Sequence, residues 1–123
     1  MVAWTREQMA QIAFAEEVQV LIRRPDGSLS GPTTIWIAGD ADRLFVRPTN
    51  GRTATWFRGA IATGMGQIVS GGTASHVSFA EASEADLSAV DVAYRQKYGR
   101  YASIVDHLIE SGPREATLQV RPA

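Results

Sequence analysis

Four arginines stand together in this chain without an acid beside them. Arg43, Arg47, Arg52 and Arg58 fall between Asp42 and Glu81, and no carboxylate interrupts that span. A guanidinium matches the oxygens of a phosphate or carboxylate two at a time, so arginines left unpaired here would form an anion site. The same side chains could instead be spent on Glu16, Glu17, Glu81 or Glu84 from neighbouring elements. Asn50-Gly51, in their midst, tolerates the positive backbone angles that aim successive N–H groups at one point. Trp36, Trp56 and Phe57 offer faces against which a flat ring system stacks, or else core packing. Trp56 adjoins the arginine loop at the start of a helix. Tyr94 and Tyr98 recur at helical spacing beside Arg95 and Lys97, either as a substrate mouth with a phenolic proton donor or as core. His76, alone on the polar face of a strand, is a further acid–base candidate. No Ser-His-Asp set, P-loop or paired catalytic carboxylate occurs, and Gly64-Met65-Gly66 lacks the third glycine of a dinucleotide fingerprint.

Short strands must position these groups. Ile35 and Ile37 alternate with Trp36 and Ala38, and Leu44 and Val46 with Arg43, Phe45 and Arg47, the period of a half-buried β-pair. Gly39-Asp40-Ala41-Asp42 supplies its turn. Arg43 and Arg47 leave one strand on the same side. Upstream, Thr5-Arg6-Glu7-Gln8 is a capping box opening a short helix with Met9, Ile12 and Ala13 inward. Val18, Val20 and Ile22 mark a strand ending at Pro25-Asp26-Gly27. Downstream, Gln67–Ser70 and Thr73–Ala80 are strands among glycines suited to barrel corners and close backbone approaches. Ser83–Asp86 caps a helix whose stripe is Leu87, Val90, Tyr94 and Tyr98. Tyr101–Ile109 is a second helix with Ile104, Val105, Leu108 and Ile109 inward, stopping at Gly112-Pro113. Glu115–Arg121 closes the chain as a strand, with Ala116, Leu118 and Val120 on one face and Thr117, Gln119 and Arg121 on the other.

The pattern predicts one α+β domain over residues 1–123: a small antiparallel barrel of about six strands, with a short N-terminal helix and two helices before the last strand. The totals narrow the function. Net charge is −1 over 123 residues, too little positive field for a generic nucleic-acid or membrane-surface binder. There is no cysteine, which excludes disulfides, thiolate metal sites and a cysteine nucleophile. Two separated histidines do not make a metal cluster, so no metal is expected. No apolar run reaches membrane-spanning length and no leader pattern opens the chain, which predicts the cytoplasm.

Three stretches give a resemblance to the flavin-reductase-like split β-barrel superfamily, within it the deazaflavin-dependent nitroreductase-like branch and a neighbouring bacterial family of unknown function. Leu21–Trp36 resembles the family's opening strand, basic turn and second strand. Arg43–Arg58 resembles its strand, glycine-bearing phosphate loop and aromatic-rich helix start, and Tyr101–Val120 its closing helix and strand. The resemblance implies a flavin mononucleotide or deazaflavin cofactor whose phosphate lies against Arg23, Arg24, Arg47, Asn50, Gly51 and Arg58, with Trp56 alongside. Pro25-Asp26 departs from the family's basic turn by placing a carboxylate there. The implied function is a homodimeric oxidoreductase passing hydride to a small organic substrate. The alternative is a cofactor-free protein that binds or rearranges a small ligand in the same cleft.

Overall fold

The computed structural model describes residues 3–123. Its helices are α1 (Arg6–Phe14), α2 (Thr55–Thr63), α3 (Leu87–Tyr98), α4 (Ala102–Ile109) and α5 (Ser111–Glu115). The strands are β1 (Val18–Arg23), β2 (Leu29–Ile35), β3 (Ile37–Asp40), β4 (Arg43–Val46), β5 (Met65–Ser70), β6 (Thr73–Glu81) and β7 (Leu118–Pro122). All seven strands form one antiparallel sheet in the order β2-β1-β5-β6-β7-β4-β3. It curls into the open barrel expected of the sequence.

The strands at the two ends of that order are consecutive in the chain. A single residue, Trp36, separates β2 from β3. Ile35 and Ile37, read from their alternation as one strand, therefore belong to two, and this split supplies the seventh. The β3–β4 hairpin is shorter than predicted at its tip. Gly39 and Asp40 remain in register with Leu44 and Arg43, leaving Ala41 and Asp42 to turn, with Ala41 at φ 57°.

Alternation along β4 serves two cores. Leu44 and Val46 face the barrel interior with Val18, Val20, Ile68, Val77, Leu118 and Val120. Phe45 and Ala38 face outward onto Val90, Tyr94 and Tyr98 of α3 and Val105 and Leu108 of α4. The central hairpin is thus buried on both faces. α2 covers the barrel through Phe57 and Ala60 and ends at Gly64, whose φ of 71° is the left-handed stop that favours glycine. Gly66 is the close approach anticipated among the glycines: a Cβ there would strike the Leu21 carbonyl oxygen and crowd the Phe79 ring.

The capping box at Thr5 forms as predicted, its hydroxyl accepting from the Gln8 N–H while the Gln8 side chain accepts from the Thr5 N–H. The end of the chain differs. Gly112-Pro113 does not stop a helix but lies inside α5, where Pro113 occupies a first-turn position whose N–H needs no partner. β7 starts only at Leu118, and Ile104 of α4 stays exposed rather than turning inward.

Candidate functional site

The open seam of the barrel carries a cleft of about 500 Å³. Its walls are the end of β2 (Thr33–Ile35) with Trp36, the segment from Arg47 to Asn50, the first turn of α2 and the α4 side chains Ile104 and Leu108. Volume and aromatic content fall within the range of small-molecule sites. Trp36 stacks on Tyr98 with ring centroids 4.0 Å apart and planes 3° from parallel. Tyr98 in turn lies 6.0 Å from Tyr94. Both tyrosines are buried, so they are core and support the wall rather than opening as a mouth. The Tyr94 hydroxyl donates to the Trp36 carbonyl, and Tyr98 donates to the Glu16 carbonyl at 2.7 Å. Burial pushes the Tyr98 hydroxyl up to about 12 and Tyr94 higher still, so neither is a ready proton donor near neutrality. Trp56 forms the opposite part of the wall, edge-on to the buried Phe57.

The donors at the cleft come mostly from backbone and neutral groups. The residue that precedes α2, Ala54, provides no side-chain cap. The N–H groups of Thr55, Trp56 and Phe57 consequently open the helix without intrahelical partners, next to Thr49 and Asn50. Gly51, at φ 65°, turns this loop and packs against Gly112, bordering a second cavity of about 520 Å³ that shares Thr49, Asn50, Ala54 and Thr55 with the first. His107, on that second cavity, has Nε2 2.7 Å from the Thr49 carbonyl and Nδ1 3.3 Å from Glu110.

Arg47 reaches the cleft but is not a free cation. Its side chain is fully buried. Nε donates to Thr117 Oγ1 at 2.8 Å, Nη1 to Asp91 at 2.7 Å and to the Leu108 carbonyl, and Nη2 to the Leu87 carbonyl. Asp91 also accepts from Arg114 Nε at 3.0 Å. Two guanidiniums thus share one carboxylate, and the group keeps a net positive charge beneath the cleft. Of the carboxylate partners anticipated for the arginines, one is found. Arg43 pairs with Asp40 and Asp86, Arg52 with Glu81, and Glu16 with Arg100. Only Arg52–Glu81 was among the anticipated alternatives. Arg43 and Arg47 do point the same way, toward α3.

The seven residues implied by the resemblance divide accordingly. Arg47, Asn50 and Trp56 meet in the seam cleft, and Gly51 adjoins it. Arg23 lies near the far end of α2, where its carbonyl accepts from Thr63 Oγ1 at 2.7 Å, and Arg24 braces the β1–β2 turn through Ser28 and Leu29. Asp26 is occupied by the Ser28 N–H and hydroxyl. Arg58 is exposed on α2, paired with no carboxylate among the described residues. Sequence reasoning passed over Thr33, Thr34, Thr49, Thr55 and Glu17, all of which line the cleft. Isolated threonines carry no spacing signal. Among the described residues there is no cluster of metal-ligating side chains and no helix long and apolar enough to cross a membrane.

A curled seven-stranded antiparallel sheet with helices over its seam is a split-barrel fold. Within it, residues 8–120 match the bacterial family DUF2255, described as an uncharacterized protein conserved in bacteria, and the chain belongs to that family. The fold is shared with a conserved hypothetical protein, Rv2991, of Mycobacterium tuberculosis at 15% identity and TM-score 0.64, over 100% of this chain and 81% of that one. A heme binding protein from Mycobacterium smegmatis has 12% identity and TM-score 0.60, but this chain, 98% of it aligned, spans only 52% of that one. A FAD-binding protein from Mesorhizobium loti has 13% identity and TM-score 0.55, over 98% and 90% of the two chains. No curated protein matches.

Proposed function

We propose that this protein binds a flavin-type cofactor, flavin mononucleotide or a deazaflavin, in the seam cleft, and passes hydride between it and a small organic substrate in the cytoplasm. The observation that carries this reading is the pairing, in one cleft of about 500 Å³, of two tryptophan walls with an uncapped helix N-terminus. The first α2 N–H groups, Asn50 and the turn at Gly51 would hold the phosphate, with the positive Arg47–Asp91–Arg114 group behind them. Trp56 would stand alongside the rings. Arg23, Arg24 and Arg58 stand away from this arrangement. The cofactor supplies the hydride chemistry when bound, and the protein's part is binding, orientation and exclusion of water. A relative named for FAD supports the choice. Heme, named for another, suits the cleft less, because no histidine, cysteine or methionine lines it among the described residues. The fold class and the exposed apolar side chains Phe14 and Ile104 support a homodimer.

The test is titration of the purified protein with flavin mononucleotide, FAD, a deazaflavin and hemin, followed by absorbance and tryptophan fluorescence. A flavin or deazaflavin is expected to bind saturably, and Trp56→Ala to weaken it about threefold to tenfold. Absence of binding by every flavin and deazaflavin overturns the reading. The committed donors of Arg47 favour a second reading, cofactor-free capture of an apolar ligand in the same cleft, and that outcome would select it.

A further inference from the structure

The seam cleft has opposite electrical character on its two sides. Toward α2 lie unpaired N–H groups and the net-positive group around Arg47. Toward β1 lies a carboxylate, Glu17. It immediately precedes Val18, which pairs with Ile35 across the β1–β2 ladder, so Glu17 stands beside Trp36 at the cleft wall. Its neighbour Glu16 is paired through Oε1 with Arg100 at 2.7 Å and the Tyr101 hydroxyl at 2.7 Å. Glu17 is exposed, and no arginine, lysine or histidine pairs with it among the described residues.

Trp36 makes the neighbourhood more than a stray surface acid. Its ring lines the cleft while held between Tyr98, stacked at 4.0 Å, and Tyr101, tilted at 5.4 Å, and indole is the best of the aromatic partners for a cation. A carboxylate and a tryptophan at one wall, with Ile35 and Ile104 near, form a site for a positive nitrogen carried on an apolar body. An anion would be repelled there and drawn to the α2 side instead.

We propose that the substrates of this cleft are small organic cations, bearing a protonated amine or quaternary nitrogen that seats against Glu17 and Trp36. As a statement about the substrate of hydride transfer it rests on the cofactor reading above. As a statement about binding it does not. The experiment titrates the full chain near neutral pH with benzylammonium, benzyl alcohol and benzoate, followed by tryptophan fluorescence. Benzylammonium should bind about fivefold more tightly than the isosteric alcohol, with the preference shrinking as salt is added. Glu17→Gln should abolish the preference while leaving benzyl alcohol unchanged and benzoate bound no less tightly. Equal binding of the ammonium and the alcohol, or a preference that survives Glu17→Gln, overturns the proposal. If flavins bind while the probes are charge-blind, this proposal alone fails. If no flavin binds while the Glu17-dependent preference holds, the cofactor reading alone fails.

Discussion

Arg47 shows how one side chain can border a ligand cleft and still belong to the interior. Its guanidinium satisfies a hydroxyl, a carboxylate and two carbonyls, and removing it leaves Asp91 half-paired and three further acceptors without this donor. Breaking one side of a buried ion pair costs about 3–5 kcal/mol. Arg47→Ala should therefore lower the urea midpoint sharply, whereas Arg58→Ala, exposed on α2, should stay within about 0.5 kcal/mol of the parent. Lys97 supplies a pH signature. Its ammonium donates to the Ile37 carbonyl at 2.7 Å and sits 4.9 Å from the centre of the Tyr98 ring, and burial pushes it down from 10.5 to about 8. Between those values the unfolded chain binds more protons than the folded one, so stability rises with pH across that window. Above pH 10 the buried tyrosines act oppositely, because the unfolded phenols ionise first and Tyr98 holds its proton to about 12. Urea unfolding should show stability growing from about pH 8 toward pH 10 in the parent, and a flatter profile in Lys97→Met. An unchanged profile in the variant would remove Lys97 as the cause.

At the level of elements, β7 carries the clearest contrast. Leu118 and Val120 are fully buried in the barrel, while Gln119 is half-buried on the opposite face. Leu118→Ala should cost about 2–5 kcal/mol and Gln119→Ala less than about 1 kcal/mol, read from denaturant titrations. Thr117 breaks the outward expectation. It is buried just before β7, accepting from Arg47 and donating to the Arg114 carbonyl at 2.6 Å, so Thr117→Val should cost about 1–3 kcal/mol. What was legible in the sequence follows from this distinction. Period-two alternation located β1, β4 and β6, and the α3 stripe was read correctly, because burial repeats along an element. Apart from Glu81 for Arg52, the partners of the arginines were not legible. Asp91 lies 44 residues from Arg47, and Asp86 lies 43 from Arg43, so only the folded topology brings them together. The break at Trp36 was hidden for a related reason: alternation continues through it, and only the sheet order reveals that the strand on each side serves a different end.

The whole molecule places its candidate site where the sheet fails to close, at the seam between its edge strands β2 and β3. Exposed apolar side chains remain outside both cores, Phe14 at 85% exposure and Ile104 at 47% on the lip of the cleft. These groups are available to a second copy of the chain, and light scattering is expected to give a particle of twice the 13.3 kDa chain mass. A monomer at micromolar concentration would reject the dimer. The fastening of Arg47, Asp91 and Arg114 has a further consequence, for how this protein can diverge. The positive charge under the cleft comes from the same contacts that join β4 to α3 and α5, so drift toward a different ligand cannot discard it without loosening the fold. Changes of preference are channelled instead to side chains with little structural duty, chiefly Glu17 on the β1 side. Descendants of this chain would inherit the charge as ancestry and revise the opposite wall as trade.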